Sequence, residues 1–328
     1  MRLIDYMKKH DRPIIFPWMG CAGLQLTSYT LYDVYKSPEK QLELARLMDK
    51  EFSADFVYPQ DDGIIFCETL GLPLLKPDYD FPSVLENPIK NIEDLRKLKV
   101  PQPYKNLRMS TNLEALKKIG DHFDKPLAIS LMGPFTLAVE LVGASDFVRA
   151  VILNPDFINE ILEFTNEVVK GYARETIKAG VKFMCISEPT GVILSPSRFE
   201  ELVASRLRNF FADMDVWKVV HVCGDTSHLI DSLINCGAEA LSLDQVMDMP
   251  TAASRVPKEM VVMGNIDPIH VLFDMAPQEV KVETLKLLKK MKNHSNFMLS
   301  FGCDCVPGTP VENLKAVMEA GHTPFSKL

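Results

Sequence analysis

Eight short runs of apolar or β-branched residues recur along this chain, and longer stretches with helical periodicity lie between them. The runs are Ile14 to Trp18, Ala54 to Tyr58, Leu127 to Met132, Lys182 to Ser187, Lys218 to Val222, Glu239 to Leu243, Met260 to Gly264, and Phe297 to Phe301. Alternating strands and helices indicate a parallel sheet, because right-handed helical crossovers join parallel neighbours. Eight such units close naturally into a cylinder. The sequence therefore predicts an α/β chain that forms a (β/α)8 TIM barrel with an N-terminal extension, as a single domain over residues 1–328.

An open, doubly wound sheet is the alternative arrangement for alternating strands and helices. Such sheets commonly carry a Gly-x-Gly-x-x-Gly loop after the first strand, or a Walker-type phosphate loop elsewhere. Neither loop occurs in this chain. Their absence favours the closed barrel.

Cap residues and prolines mark where several helices begin. Asn154-Pro155 begins a long amphipathic helix that Gly180 ends, and Ser195-Pro196 begins another helix by the same pattern. Thr309-Pro310-Val311-Glu312 has the spacing of a capping box and predicts the start of the last helix.

Charge and cysteine content exclude several classes of protein. The chain has 36 Lys and Arg against 44 Asp and Glu, a formal net charge of −8, and no basic stripe, so we expect no nucleic-acid partner. We also expect no membrane segment, because no apolar run reaches about 18 residues. The N-terminus lacks the apolar core of a secretory signal. Seven cysteines, an odd number, are typical of a reducing compartment, and the expected location is the cytoplasm.

Polar and thiol residues follow the predicted strands, at the ends from which barrel enzymes take their catalytic groups. In chain order they are Gly20-Cys21, Asp61-Asp62, Gly133-Pro134-Phe135-Thr136, Glu188-Pro189, Cys223-Gly224-Asp225, Asp244-Gln245, Asn265-Ile266-Asp267 and Cys303-Asp304-Cys305. Chance would scatter such residues over both ends of a barrel. We therefore predict an active site at the C-terminal mouth.

His221 and Cys223 are the residues in this group with the clearest chemistry. Side chains two apart on an extended segment point to the same side, so both can bind one ion. Cys303, after the eighth strand, can supply a third ligand. One nitrogen and two sulfur donors leave one of zinc's four positions open, which is typical of a catalytic site. Cys305 as a fourth ligand would instead make the site structural.

Three acidic residues and four cysteines complete the candidate list. Asp62, Glu188 and Asp244 are the candidate catalytic carboxylates, as groups that orient the substrate or support the metal ligands. The alternative role is retention for the fold at Asp62 and loop capping at Glu188 and Asp244. The isolated cysteines are expected to pack in the core, and they are Cys21, Cys67, Cys185 and Cys236.

Three sequence blocks resemble the uroporphyrinogen decarboxylase superfamily over most of the chain. They are Gly133-Pro134-Phe135-Thr136-Leu137-Ala138, then Glu188-Pro189 with Ser195-Pro196-Ser197-Arg198-Phe199-Glu200-Glu201, and Pro307-Gly308-Thr309-Pro310-Val311-Glu312-Asn313. His221-x-Cys223 with Cys303 is similar to the zinc signature of one branch, which includes the methylcorrinoid:coenzyme M methyltransferases. The resemblance implies bound Zn²⁺ at these three residues and a (β/α)8 barrel.

The decarboxylase itself is the natural rival within this superfamily. It holds a substrate with many carboxylates through an arginine-rich N-terminal segment, whereas Phe16 to Gly23 here contains no arginine. Glu140 stands where the decarboxylase carries a tyrosine, and Cys303 stands where it carries a late histidine. Only Asp62 matches the decarboxylase aspartate. Uroporphyrinogen decarboxylation is therefore the less favoured function.

The resemblance implies a zinc-dependent methyltransferase that moves a methyl group between a corrinoid protein and a thiol such as coenzyme M. Zinc would ionise the thiol, which is mostly protonated at neutral pH when free. The corrinoid is expected on a separate partner protein, because nothing here resembles a corrinoid-binding module. Two alternatives stay open. One is a corrinoid-linked demethylase acting on a methoxylated or methylated donor, and the other is a barrel in which zinc only clamps strands five and eight.

Overall fold

The computed structural model describes residues 1–328 and is built around one curled sheet of parallel strands. The nine strands are β1 (Ile15–Phe16), β2 (Leu74–Leu75), β3 (Ser83–Val84), β4 (Leu127–Met132), β5 (Val181–Ser187), β6 (Trp217–Val222), β7 (Ala240–Leu243), β8 (Val261–Ile266) and β9 (Phe297–Phe301). β2 and β3 form a separate antiparallel pair. The other seven pair in the order β1-β9-β8-β7-β6-β5-β4.

Burial on both faces explains why the sequence locates these strands well. Every residue of β7 and β9 is buried, and the strands read as continuous apolar runs rather than as alternating ones. Seven of the eight predicted strands coincide with β1 and β4 to β9 within two residues at each end. The α/β architecture with a parallel sheet is therefore confirmed.

The predicted strand from Ala54 to Tyr58 is wrong as a strand. It forms a single bridge, between Val57 and Leu127, and no ladder. Asp55 supplies the reason, because its carboxylate, rather than a main-chain carbonyl, accepts the Ile15 N–H at 2.8 Å. The segment still lies between β1 and β4, since the Asp55 N–H donates to the Ile15 carbonyl at 3.3 Å.

Helices of very different lengths surround the sheet. They are α1 (Leu3–Met7), α2 (Leu31–Tyr35), α3 (Pro38–Phe52), α4 (Ile65–Thr69), α5 (Ile92–Leu95), α6 (Leu107–His122), α7 (Pro134–Val142), α8 (Ala144–Leu153), α9 (Pro155–Lys178), α10 (Pro196–Phe199), α11 (Ser205–Phe211), α12 (Ile230–Ile234), α13 (Met249–Arg255), α14 (Pro277–Met291) and α15 (Val311–Gly321). The long helices pack against the sheet: α6 contacts β4, α9 contacts β4 and β5, and α14 contacts β8. No helix combines the length and the apolar character needed to cross a lipid bilayer.

The cap residues behave as predicted at two helices and differently at a third. The side-chain oxygens of Asn154 and Ser195 each accept a backbone N–H three residues later, which begins α9 and α10 as expected. The predicted capping box at Thr309 is wrong. Its hydroxyl donates to the Val306 carbonyl at 2.7 Å, within the preceding turn, and α15 begins after Pro310 without a side-chain cap.

Helix α1 lies across the amino ends of the strands. The Leu3 N–H donates to the Glu239 carboxylate at 3.0 Å, just before β7, and the Trp217 indole at the start of β6 donates to the Met1 carbonyl at 2.8 Å. The N-terminal residues thus cover the end of the sheet opposite to the carboxyl ends. The loops after the strands remain available to form a site.

Candidate active site

The carboxyl ends of β6 and β9 bring together three side chains of the types that bind zinc, named here the metal-binding group. His221 lies near the end of β6, Cys223 follows that strand, and Cys303 follows β9. The His221 Nε2 atom is 3.1 Å from the Cys223 sulfur and 3.9 Å from the Cys303 sulfur, and the two sulfurs are 3.7 Å apart. Residues 80 positions apart in the chain therefore converge on one point.

These distances fit a tetrahedral zinc ion. Zn–S and Zn–N bonds of about 2.3 and 2.05 Å at tetrahedral angles give about 3.8 Å between two sulfurs and about 3.5 Å between sulfur and nitrogen. The three observed separations are 3.7, 3.1 and 3.9 Å, each within about 0.5 Å of these values. The three donors can thus hold one ion and leave a fourth position for another ligand.

Neighbouring side chains fix which nitrogen of His221 faces the two thiols. The Nδ1 atom lies 3.2 Å from the Ser242 carbonyl oxygen and 3.1 Å from its hydroxyl. A carbonyl can only accept, so Nδ1 carries the proton and Nε2 keeps a free lone pair. Trp18 donates its indole N–H to the same Ser242 hydroxyl at 3.1 Å. Such support of a ligand histidine is usual at metal sites.

The two thiols differ in acidity because they lie against each other and against the imidazole. A hydrogen bond with Cys223, followed by contact with His221, lowers the pKa of the Cys303 thiol to about 4. The same thiol pair raises the pKa of Cys223, first through its hydrogen bond with Cys303 and then through burial. The pair therefore loses its first proton more readily than an ordinary thiol and its second proton less readily.

Asp244 holds the loop that carries Cys223. The Gly224 N–H donates to Asp244 Oδ2 at 2.8 Å, and the Val246 N–H donates to Asp244 Oδ1 at 3.1 Å. The side chain is 5% exposed, and both of its oxygens are thereby directed at backbone. Asp244 contacts the metal-ligand loop rather than the cavity beside it.

Glu188 caps the first turn of α7. Its carboxylate accepts the Phe135 N–H at 3.0 Å and the Thr136 N–H at 2.7 Å, and it also accepts the Thr136 hydroxyl. Burial raises the pKa of Glu188 to about 7, against the effect of these hydrogen bonds. Gly133 is required beside it, because a Cβ atom there would overlap the carboxyl group.

Asp62 is paired with a buried arginine. Arg108 donates to Asp62 through Nη2 at 2.5 Å and to Glu68 through Nε at 2.9 Å. The Arg108 guanidinium also lies over the Tyr35 ring, 4.4 Å from its centroid. Asp62 is 7% exposed and faces this arginine.

A cavity of about 460 Å³ adjoins the three metal-binding residues. Its wall includes Trp18 and, from the segment around β3, Phe81 and Val84. Its carboxylates are Asp61, Glu140 and Asp304, and none of the three was singled out as a site residue from the sequence. The predicted carboxylates Asp62, Glu188 and Asp244 do not line it.

The sequence did contain signals for the cavity carboxylates. Asp61 stands beside Asp62 in the loop after the second predicted strand, and Asp304 follows the candidate ligand Cys303. Glu140 lies on α7 rather than after a strand, so its position along the chain does not indicate a site residue. Its signal was the replacement of the decarboxylase tyrosine.

The remaining cysteines are buried away from the metal-binding group. Cys305 is 2% exposed, and only His221, Cys223 and Cys303 form a group with ligand atoms within 4.8 Å of one another. The expected core positions of the isolated cysteines are confirmed, because all are buried; these are Cys21, Cys67, Cys185 and Cys236. A fourth protein ligand at the site is thus absent.

Comparison with solved structures shows the fold. A methyltransferase from Methanosarcina mazei superimposes with a TM-score of 0.88 at 23% identity, covering 97% of this chain and 96% of that one. A B12-independent methionine synthase from a Shewanella species matches with a TM-score of 0.57 at 15% identity, covering 94% of each chain.

Comparison with curated sequences identifies the family. The methylcobamide:CoM methyltransferase MtbA of Methanosarcina mazei is 30% identical over 245 residues, 73% of this chain and 70% of that protein. The uroporphyrinogen decarboxylase of Nitrosomonas europaea is 28% identical over 304 residues, 88% of this chain and 83% of that protein. The sequence model described as uroporphyrinogen decarboxylase (URO-D) matches residues 7–324. The chain therefore belongs to the uroporphyrinogen decarboxylase family.

Proposed function

We propose that this chain is a zinc-dependent enzyme that moves a methyl group between a corrinoid on a separate partner protein and a small thiol such as coenzyme M. The observation that carries the proposal is the convergence of His221, Cys223 and Cys303, with ligand atoms within 4.8 Å of one another, beside a cavity of about 460 Å³. The similarity to methylcobamide:CoM methyltransferases supports it.

The donor set suits activation of a thiol. Zinc, when bound, would lower the pKa of a thiol in the fourth position and keep its sulfur as a thiolate at neutral pH. Two cysteine thiolates and a neutral imidazole balance the 2+ charge of such an ion. A substrate thiolate then makes the site negative, and Cys223 and Cys303 thereby preserve its nucleophilic character.

The predicted carboxylates enter the proposal as positioning residues. Asp244 would keep the Cys223 loop in place, and Glu188 would fix α7, whose Thr136 and Glu140 line the cavity. Asp62 would hold Arg108 against the loop that carries Asp61. Each would act through another group, as second-sphere residues do at metal sites.

We infer further that the curled sheet is that of a (β/α)8 barrel. The segment from Ala54 to Tyr58 would occupy the remaining strand position, and its hydrogen bonds to β1 and its bridge to β4 support this. The cavity would then open at the C-terminal mouth, where a partner-bound corrinoid must approach. Exposed apolar side chains on the loops there suit such a partner, and they are Ile193, Val246 and Phe273.

X-ray absorption on the zinc-loaded protein tests thiol activation. Adding the substrate thiol should change the zinc shell from two sulfurs to three, because Zn–S bonds are longer than Zn–N bonds by about 0.2 to 0.3 Å and can be counted. Calorimetry should detect release of about one proton per site near neutral pH. The Cys305→Ala variant serves as the matched control and should give both signals.

The contrary outcome is equally specific. Demethylation of methylcorrinoid by a thiol that adds no sulfur to the zinc shell and releases no proton would contradict thiolate activation. A corrinoid-linked demethylase acting on a methoxylated or methylated donor would then be the better account.

A further inference from the structure

The cavity beside the metal-binding group has an acidic lining. Three carboxylates line it, those of Asp61, Glu140 and Asp304, and none of its 18 lining residues is a lysine or an arginine. The remaining polar groups are hydroxyls, such as those of Ser130 and Thr136, and the metal-binding residues themselves. A ligand in this space therefore meets three acidic groups and no lysine or arginine.

The cavity carboxylates also have no cationic partner within the protein. Asp62, one residue from Asp61, is paired with Arg108 at 2.5 Å, whereas Asp61, Glu140 and Asp304 lie within 4.0 Å of no lysine, arginine or histidine nitrogen. The Oδ1 atom of Asp304 is buried and has no hydrogen-bond partner at all. Asp61 is only 8% exposed. Burial disfavours the charged form of a carboxyl that has no cationic partner, so a cationic ligand that restores this form would bind favourably.

The apolar part of the wall is suited to the same kind of ligand. Trp18 and Phe81 both line the cavity, and the face of an aromatic ring attracts an ammonium or other onium group. Trp18 is 4% exposed and is fixed by its hydrogen bond to Ser242. An anionic end group, such as a sulfonate or carboxylate, would find neither a guanidinium nor an ammonium here.

We propose that this cavity selects a small cationic substrate, whose onium group lies among Asp61, Glu140 and Asp304 while its sulfur or methylated heteroatom lies at the metal-binding residues. The inference rests on the proposed function for the position of the reacting atom. It deepens that function by naming the charge of the substrate, and it disfavours coenzyme M itself, whose sulfonate is negative. The positive group would also offset the negative charge that a thiolate adds beside Cys223 and Cys303.

Three thiols that differ only in their end group test the charge preference. They are 2-aminoethanethiol, 2-mercaptoethanol and 2-mercaptoethanesulfonate, which are cationic, neutral and anionic. Dissociation constants are measured on the cobalt-substituted protein, where a thiolate-to-cobalt absorption band reports binding without turnover. We expect 2-aminoethanethiol to bind at least tenfold more tightly than 2-mercaptoethanesulfonate, a difference of about 1.4 kcal/mol or more.

The three thiols also differ in basicity, which affects their dissociation constants. Comparing variants of the protein with the same three thiols removes this effect. The quantity of interest is the ratio of the anionic to the cationic dissociation constant, which should fall at least tenfold in the double variant Asp61→Asn with Glu140→Gln. Glu114→Gln, on the exposed surface of α6, is the control and should leave the ratio unchanged. The neutral thiol is the internal reference, because a disturbed fold or lost metal weakens all three thiols alike.

The outcomes separate this inference from the function on which it rests. An absorption band with all three thiols, and a ratio that the double variant leaves unchanged, would overturn the charge preference while thiol activation stands. Tightest binding of 2-mercaptoethanesulfonate would do the same. No band with any thiol would contradict thiol activation, and the inference would fall with it.

Discussion

Carboxylates near the carboxyl ends of the strands fall into two groups with opposite surroundings. The structural group consists of Asp62, Glu188 and Asp244, which do not line the cavity, and the cavity group consists of Asp61, Glu140 and Asp304, which do. Members of the structural group accept two or more hydrogen bonds from the backbone or pair with a buried arginine. Members of the cavity group have no cationic partner and line the space beside the metal-binding residues.

The contrast shows how one loop can carry two roles in adjacent residues. Asp62 and Asp61 have the same chemistry and nearly the same burial, 7% and 8% exposed. Arg108 lies on the side of Asp62 only, so the Asp62 charge is matched within the protein and the Asp61 charge is not. The presence of a cationic partner, rather than the degree of burial, distinguishes Asp62, which stabilises the fold, from Asp61, which remains free for a ligand.

The largest expected effect concerns the rival reaction and is all-or-none. The protein should form no coproporphyrinogen from uroporphyrinogen, because a substrate with many carboxylates would meet the cavity group and no arginine or lysine. Product analysis by chromatography, with a genuine uroporphyrinogen decarboxylase as the positive control, measures this. Measurable coproporphyrinogen would show that the cavity group does not repel anions.

Removing the arginine that pairs with Asp62, a member of the structural group, should lower the free energy of unfolding by several kcal/mol. Arg108→Ala leaves the buried Asp62 without its guanidinium, whereas the half-buried Glu68 keeps Lys76, and such a change lowers the free energy of unfolding by about 3 kcal/mol or more. Urea unfolding measures it. The control is Arg149→Ala, whose exposed pair with Asp146 at 3.8 Å should leave the free energy of unfolding nearly unchanged. Equal losses in both variants would contradict the structural role of Arg108.

Glu188 should make stability depend on pH in a definite direction. Its folded pKa is raised from 4.5 to about 7, so the folded state holds its proton more tightly than the unfolded state does. The contribution is most favourable below about pH 4.5 and is lost as the pH rises through about 7, by an amount on the order of 3 kcal/mol. Glu188→Gln should therefore gain stability relative to the natural protein over this interval.

Urea unfolding of both proteins at several pH values checks the Glu188 prediction. The difference between their free energies of unfolding should rise with pH and level off above about pH 8. If the two free energies of unfolding change with pH in parallel, the hydrogen bonds from the α7 backbone and the Thr136 hydroxyl compensate the negative charge of Glu188 fully. A difference that falls with pH would reverse the predicted sign.

The smallest expected effect is on stability, and it comes from the same substitution made once in each group, at Asp62 and at Asp61. Asp62→Asn should lower the free energy of unfolding by about 2 kcal/mol through the weakened bond to Arg108. Asp61→Asn should change it by less than about 1 kcal/mol, or raise it, because this group has no cationic partner to lose and the neighbouring Asp304 disfavours its charged form. The substitution is the same at adjacent positions. A larger loss at Asp61 than at Asp62 would break the distinction.

The strands were predictable because they are buried on both faces and read as apolar runs. The segment from Ala54 to Tyr58 has the same pattern, but the Asp55 side chain replaces a main-chain acceptor, which no periodicity reveals. The last helix was placed correctly, although the Thr309 hydroxyl bonds backward into its own turn. In both places a side chain that bonds to the backbone causes the departure from the prediction.

The metal-binding residues were predictable for a different reason from the carboxylates. Alternation along an extended segment places His221 and Cys223 on one side whatever the loops do. A loop carboxylate has no such rule, because its direction depends on where its partner lies. Arg108 is 46 residues from Asp62 in the chain, and nothing local to Asp62 indicates that pairing.

The metal content of three cysteine variants tests the central claim most directly. We expect about one zinc per chain in the natural protein, as for a single three-ligand site. Cys223→Ala and Cys303→Ala should each lose most of it, whereas Cys305→Ala should keep it, because Cys305 is buried outside the metal-binding group. Full zinc in both of the first two variants, or its loss from Cys305→Ala alone, would contradict the account.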